Sequence, residues 1–318
     1  MRNIKSLLIL FICMAVVIAG CKKQETPKPK APTITTADIT NNLGISASGG
    51  GSVSSDGGSA VTARGICWST SENPTTADNK TNDSLGTGSF KSQLANLTTN
   101  TIYYVRAYAT NAAGTAYGKS VSFLTNTIDL DGNLYHTVKI GTQVWMVENL
   151  KVTHYQNGDA LPNVTDDNEW VTLTEGAFCN YANDPNNGAV YGRIYNMAAT
   201  TDQRNICPAG WRLPTNTDWN LLQVLLGNGT DVGGMLKEAG TTHWNAPNTG
   251  ATNSSGFTAL PAGNRGYGGF ADLGNYTYFW SDPTEQYTRA LLYNQSDIAG
   301  TSNYSPILGL SIRCIRVQ

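Results

Sequence analysis

The sequence predicts two folded regions in one chain: an N-terminal all-β sandwich over residues 33–125 and an α+β domain with few helices and many loops over residues 126–318. Three observations carry this. Through the first region, short β-rich runs alternate with clusters of Gly, Ser, Asn and Asp, the pattern of a sandwich. In the second region a single well-capped amphipathic helix stands among turns and short strands. The 318-residue chain is also sparing in charge (14 %) and rich in Gly (33), Tyr (15) and Trp (7), which suits a turn-rich exported protein and not a disordered one.

Ahead of these regions lies a leader. Arg2 and Lys5 precede an apolar run from Leu7 to Ala19. That run is shorter than the ~20 residues a spanning helix needs, so residues 1–20 read as a secretory signal. Ile18-Ala19-Gly20-Cys21 resembles the lipobox of bacterial lipoproteins. The resemblance implies cleavage before Cys21 and lipid on its thiol and new amino group, each buried methylene adding about 0.8 kcal/mol to the anchor. Residues 21–32, the lipidated Cys and an alternation of Pro and Lys, form a tether that extends by roughly 3.1 Å per residue. Lys22 in place of Asp resembles outer-membrane sorting, so the expected location is the outer membrane, lipid-anchored, at the cell surface.

The two halves differ in charge. Residues 22–125 carry 9 basic and 6 acidic side chains, residues 126–318 carry 10 and 17. With no cluster of Lys and Arg to neutralise phosphate, nucleic acid is not an expected partner.

In the sandwich the clearest strand is Thr101 to Ala109. Its period of two turns Tyr103, Val105, Ala107 and Ala109 inward and Tyr104, Arg106 and Tyr108 outward. Leu97 to Tyr103 resembles the corner before the penultimate strand of fibronectin type III domains, which implies that Tyr103 bonds back to the preceding turn. Asn111-Ala112-Ala113-Gly114 then leads to a last strand from Ala116 to Leu124. Gly49-Gly50-Gly51 and Asp56-Gly57-Gly58 read as two turns around a short strand, since no Lys follows to make a phosphate-binding loop. Cys67, between Ile66 and Trp68 on a strand, reads as a buried free thiol. Asp83-Ser84-Leu85 resembles an O-glycosylation acceptor of Bacteroidetes secreted proteins.

In the larger domain, runs from Leu134 to Ile140 and from Gln143 to Glu148 flank Gly141-Thr142 as a β-hairpin. Asp129-Leu130-Asp131-Gly132-Asn133 reads as a turn, because Ile140 stands where a calcium-binding EF-hand loop needs Glu. Cys207-Pro208-Ala209-Gly210-Trp211-Arg212-Leu213-Pro214 leads into a helix. Thr215 is its N-cap and Asp218 closes a capping box. Trp219, Leu222 and Leu226 line its buried face, Leu221 and Leu225 widen it, and Gly227 ends it. A second short helix is expected over Gly234–Gly240.

Taken in order, these motifs closely resemble the Fibrobacter succinogenes major paralogous domain. They are Asp131-Gly132-Asn133, Val144 to Leu150, Tyr191-Gly192, Cys207 to Trp211, Pro214, Trp219, Gly256-Phe257, Leu260 to Gly263, Trp280-Ser281 and Arg313-Cys314. Met197 stands where the family often carries Trp. The resemblance implies a C-type-lectin-like fold and no agreed activity. Four cysteines remain beyond the leader and the anchor, allowing three full pairings. The lectin-like resemblance implies Cys207–Cys314, tying the first helix region to the last strand, with Cys179–Cys207 the next choice. Export supplies the oxidising compartment.

The chemistry expected is binding. Lectin-type calcium triplets are incomplete here, since Ala246-Pro247-Asn248 lacks the acid and Trp280-Ser281-Asp282 lacks the Asn, so no metal and no cofactor is expected. The loops from Trp244 to Tyr304 carry Tyr267, Phe270, Tyr276, Tyr278, Trp280 and Tyr287 among Asn, Asp and Gly. Trp244, Tyr267, Tyr276, Tyr278, Trp280 and Asp282 are therefore the candidate ligand face, for a glycan or a protein. The same residues could instead fill a loop-rich core. Arg212-Leu213-Pro214-Thr215 also resembles a motif of formylglycine-generating oxidases, but those enzymes use two nearby reactive cysteines and only Cys314 lies in the terminal region. Three scattered histidines (His136, His154, His243) have no zinc spacing, and no Gly-x-Ser-x-Gly elbow occurs. The expectation is a non-enzyme, a structural envelope component being the alternative.

Overall fold

The computed structural model describes residues 27–281, 287–302 and 305–317. Its N-terminal region is an antiparallel sandwich of the Ig and fibronectin type III kind. Three strands, Thr33–Thr36, Ala47–Ser55 and Gly88–Leu94, form one sheet in that order. The other sheet runs Asn79–Lys80, Ala63–Ser69, Ile102–Asn111, with Gly114–Tyr117 and Val121–Leu124 sharing the far side of Ile102–Asn111. Ile34, Val53, Ile66, Trp68, Leu94, Tyr103, Val105 and Ala107 pack between them. The Tyr103 hydroxyl accepts from the Thr98 amide at 3.2 Å, the corner the resemblance implies.

Two details of the sandwich depart from the sequence reading. Tyr108 is buried rather than outward, its hydroxyl donating to the Thr81 carbonyl at 2.6 Å. Gly49–Gly51 lie inside a nine-residue strand, not in a turn. A Cβ on Gly51 would sit 2.5 Å from the Thr35 carbonyl oxygen and 2.7 Å from the Ala107 methyl, so the glycine lets the two sheets approach.

The sandwich has two distinct ends. At one, the Lys30 amide donates to Gly57 and Asn111 Nδ2 donates to the Lys30 carbonyl. At the other, Asn42, Asn100 and Asn126 knit the exit: Asn126 Nδ2 donates to the Asn42 carbonyl, and the Asn100 amide to the Asn126 carbonyl. The strand Ile102–Asn111 runs between the two ends, about 3.3 Å per residue and so roughly 30 Å. The chain enters far from where it leaves.

The C-terminal region is mixed α+β. A four-stranded sheet orders Thr137–Ile140, Gln143–Met146, Ile315–Arg316 and Trp211–Arg212. A larger sheet orders Phe178–Cys179, Ile194–Asn196, Gly309–Leu310, Ala262–Gly266, Tyr276–Trp280, Tyr287–Leu292 and Ala299–Ser302, with Gly269–Leu273 on Ala262–Gly266. The helices are short: Asp167–Trp170, Pro185–Tyr191, Met197–Thr201, Asn216–Leu225 and Val232–Leu236. Trp145, Trp219, Phe257 and Phe279 meet in one aromatic core, Tyr195, Trp211 and Trp280 in another.

The helix Asn216–Leu225 carries the capping box, Thr215 and Asp218 each bonding the other's backbone. Trp219 and Leu222 are buried, whereas Leu221 is exposed and does not widen the apolar face. The next helix is Val232–Leu236 and stops where the sequence reading continues to Gly240. Lys237 ends it by leaving the helix and turning inward.

Candidate functional site

Cys207 and Cys314 are bonded, 107 residues apart in sequence. The reason is sheet order: Trp211–Arg212 lies directly beside Ile315–Arg316, so the two cysteines precede neighbouring strands. Cys179 is free and buried on a different sheet, which overturns the Cys179–Cys207 alternative. Burial pushes its thiol up to about 12, and that of Cys67 up to about 11, so neither is a reactive thiolate.

Much of the motif pattern is scaffold. Arg313 is fully buried between the rings of Phe257 and Phe279, 4.3 and 5.4 Å from their centroids. Its guanidinium donates to Asn149 Oδ1 at 3.1 and 2.6 Å and to the Phe257 carbonyl. Asp131 Oδ1 accepts from the Thr153 hydroxyl at 2.7 Å and lies 2.5 Å from His154 Nδ1. Asp129 closes the preceding turn, accepting from the amides of Asp131 and Asn133, as a turn and not a calcium loop requires. Among the described residues no group of three His, Cys, Asp or Glu is placed to hold a metal ion.

The predicted aromatic face comes apart. Trp244 and Trp280 are 1 % and 2 % exposed, and their indole N–H groups donate to the carbonyls of Ala259 and Tyr195 at 2.9 and 2.8 Å. They belong to the core, because a large ring with a satisfied N–H gains more from burial than from solvent. Phe270 packs on Tyr181 and the buried Arg265. Tyr267 is 77 % exposed at the tip of the hairpin Ala262–Leu273. Tyr276 and Tyr278 meet edge to face at 6.1 Å near the opposite end of that hairpin. Beside them Tyr278 donates to Asp272 Oδ2 at 3.3 Å and Asn264 Nδ2 donates to it at 2.8 Å. Asp282 and the lipid-attachment candidate Cys21 lie outside the described residues.

A concave site lies elsewhere. A cleft of about 1090 Å³ opens where the sandwich and the C-terminal region join. The sandwich supplies Asn42, Leu43, Ile102, Phe123 and Leu124, and the hairpin after it supplies His136, Thr137, Lys139 and Val144, with Arg316 of the last strand and Val317 just beyond it. Leu43, Ile102 and Val317 are 52, 43 and 51 % exposed, apolar surface that the fold leaves open to water. Among the described residues no Asp or Glu lines the cleft, although the C-terminal region is strongly acidic overall. His136 is held at its rim by Glu148, Nδ1 to Oε1 at 2.6 Å. Around the cleft, Trp211 Nε1 donates to Thr127 Oγ1 at 2.8 Å, Asn100 Nδ2 to the Ala209 carbonyl at 3.3 Å, and Arg316 to the Asn100 carbonyl at 3.2 Å. The long stretch from Cys207 to the helix thus braces the cleft as well as the core.

The Fibrobacter succinogenes major domain matches residues 138–316, more than half of the chain. The chain belongs to this family. Its sandwich precedes the family domain, and the cleft lies at their junction. Solved structures with some likeness include domains from titin, at 20 % identity over 30 % of this chain and 32 % of that one, with a TM-score of 0.22. The sensor domain of the anti-sigma factor RsgI4 from Pseudobacteroides cellulosolvens matches at 16 % identity over 31 % of this chain and 97 % of its own, TM-score 0.24. The twitchin kinase region from C. elegans matches at 12 % identity over 66 % of this chain and 36 % of its own, TM-score 0.23. This family member therefore spans about a third of the titin chain, and such scores carry nothing about function. No curated protein matches the chain.

The sequence reading missed the cleft. Its signal was partial: the strand period leaves Thr137 and Lys139 outward while Ile140 is buried. That these residues face the sandwich depends on how the two regions join, which no local pattern encodes.

Proposed function

We propose that this chain is a lipid-anchored binding protein of the outer envelope, displayed at the cell surface, which recognises a glycan or protein ligand without catalysing a reaction on it. The observation that carries the reading is the cleft. Its volume of about 1090 Å³ lies just above the roughly 300–1,000 Å³ typical of ligand sites, and a junction between domains is where such sites recur. Apolar side chains supply contact area, while Lys139, Arg316 and the Asn side chains can fix orientation. Lipid at Cys21 and the tether of residues 22–32 would hold the near end of the sandwich at the membrane. The cleft, at the far end, would then be presented outward by a sandwich acting as a stalk.

The tyrosine pair Tyr276–Tyr278, with Asp272 and Asn264 at its side, supports a second reading, a sugar platform in which rings stack on a hexose and polar groups meet its hydroxyls. Arrays of glycans and of peptides, probed with the full chain, separate the two. Leu43→Asp should abolish capture if the cleft is the site and leave it intact if the tyrosine pair is. Tyr276→Ala should do the reverse. For the anchor, Cys21→Ser should move the protein from the membrane fraction to the soluble one, and retention would remove the lipid from this account.

A further inference from the structure

One wall of the cleft is a face of the four-stranded sheet, and strand register sets its side chains in a row. Lys139 stands opposite Val144. Trp145 pairs with Ile315 in the antiparallel sense, so Val144 in turn stands opposite Arg316. Directly opposed residues of an antiparallel pair share a face, and Lys139, Val144 and Arg316 all line the cleft. Val138, Trp145 and Ile315 turn to the other face and pack with Trp219. The row therefore presents a cation, an apolar side chain and a second cation on three adjacent strands. At about 4.8 Å per strand, the two cationic residues stand roughly 10 Å apart. Arg316 is held by the Asn100 carbonyl at 3.2 Å, while Lys139 is exposed and forms no ion pair among the described residues. The carboxylate that follows the hairpin, Glu148, is occupied by the His136 amide and ring, at 2.8 and 2.6 Å. Across the cleft the sandwich sets Leu43, Ile102 and Phe123 against this row. The apolar surface runs on past the cleft. Ile45, two residues from Leu43, is exposed, and Leu225 lies against Gly141 on the rim, with Leu221 and Val224 exposed on the same helix.

Among the described residues the lining has two cations and no Asp or Glu, in a domain of 10 basic and 17 acidic residues. Local charge complementarity therefore selects an acidic, apolar partner over a basic one. The spacing of the cations says more. An extended chain sets the side chains of one face about 6.7 or 13 Å apart. A helix sets positions i and i+7 about 10.5 Å apart, with i+3 and i+4 between them on the same face. We propose that the cleft takes an amphipathic helix of a partner protein, with carboxylates at i and i+7 on Lys139 and Arg316 and apolar side chains at i+3 and i+4 over Val144. The inference rests on the reading of the cleft as the ligand site. Leu43, Ile102 and Phe123 would cover the flank of the helix's apolar stripe, the groove mode in which such helices recur as ligands. A membrane lipid would gather its charge in one headgroup, whereas the two cations here are parted by an apolar side chain. A glycan would find one aromatic ring to stack on, Phe123.

The test uses the full chain and Ala-rich synthetic peptides of about 18 residues, past the ~12–15 below which isolated helices are marginal, titrated by fluorescence anisotropy. The lead peptide carries Glu at i and i+7 and Leu at i+3 and i+4. Binding is expected, weakened roughly tenfold or more when the second Glu moves to i+9, on the other side of the helix, and to a similar degree when both Glu are replaced by Lys. Lys139→Glu, at an exposed position, should transfer the preference to a peptide with Lys in place of one Glu. Equal affinity for the i+7 and i+9 peptides would overturn the helix assignment, and equal affinity for acidic and basic peptides would overturn the charge assignment. Self-association of the chain that Leu43→Asp abolishes would make a second copy the occupant instead. If no peptide binds, the helix assignment falls, and a glycan or an anionic phospholipid vesicle captured in its place and lost on Leu43→Asp leaves the cleft standing with that occupant. If every captured ligand survives Leu43→Asp, the cleft reading falls with it.

Discussion

Lys237 is a fully buried ammonium in the C-terminal region, and three carbonyl oxygens receive it: Thr249, Leu292 and Gln295, at 2.9, 2.9 and 2.8 Å. The ring of Trp244 lies 5.4 Å away. A predicted ligand-face tryptophan thus walls a structural cation, and the loop after the helix Val232–Leu236 is held to the strand Tyr287–Leu292. Truncation by Lys237→Ala would leave those carbonyls without a donor and should cost on the order of 1–3 kcal/mol. Burial pushes the Lys237 pKa down to about 8 from 10.5. Between those values the unfolded chain binds more protons than the folded one, so this group's contribution to stability rises with pH across the window and is flat below it. Chemical denaturation of the native chain against Lys237→Met should therefore show a difference that shifts in favour of the native chain from pH 8 to 10. A constant difference would mean that burial does not set the titration.

At the scale of elements, the disulfide and the capped helix do related work. Asp218 accepts from the Thr215 amide at 2.7 Å and from Arg212 at 2.6 Å, so the helix start is tied to the strand that lies beside Ile315–Arg316. Cys207–Cys314 closes the same neighbourhood covalently. A loop of this length stabilises by about 4–5 kcal/mol in the chain-entropy view, and reductant should lower the melting temperature of the native chain but not of a Cys207→Ala/Cys314→Ala variant. An equal response would place the effect elsewhere. These elements were legible because their signals are local: a Thr-x-x-Asp box, a Gly-Thr hairpin turn, a Tyr corner. What was not legible follows from tertiary placement. Trp244 and Trp280 read as surface aromatics because they sit among polar loop residues, and only the fold reveals the carbonyls their N–H groups reach. Gly49–Gly51 read as a turn because glycine serves turns, yet here it serves the close approach of two sheets. Edge position is likewise a property of sheet order, so Thr137–Ile140 looked like any hairpin strand.

The whole molecule places its chain entry and its cleft at opposite ends of the sandwich. Asn100 makes contacts on both sides of the junction, to Asn126 and to Ala209, and the same boundary contributes Leu43 and Ile102 to the cleft. The family domain supplies Lys139 and Arg316 and the sandwich supplies Leu43, Ile102 and Phe123, so recognition at the cleft would belong to neither alone. Capture of ligands from glycan and peptide arrays by the full chain, native against Leu43→Asp, tests this most directly. The account predicts that Leu43→Asp abolishes capture while the variant melts as the native chain does. Capture that survives Leu43→Asp and is lost in Tyr276→Ala would contradict it.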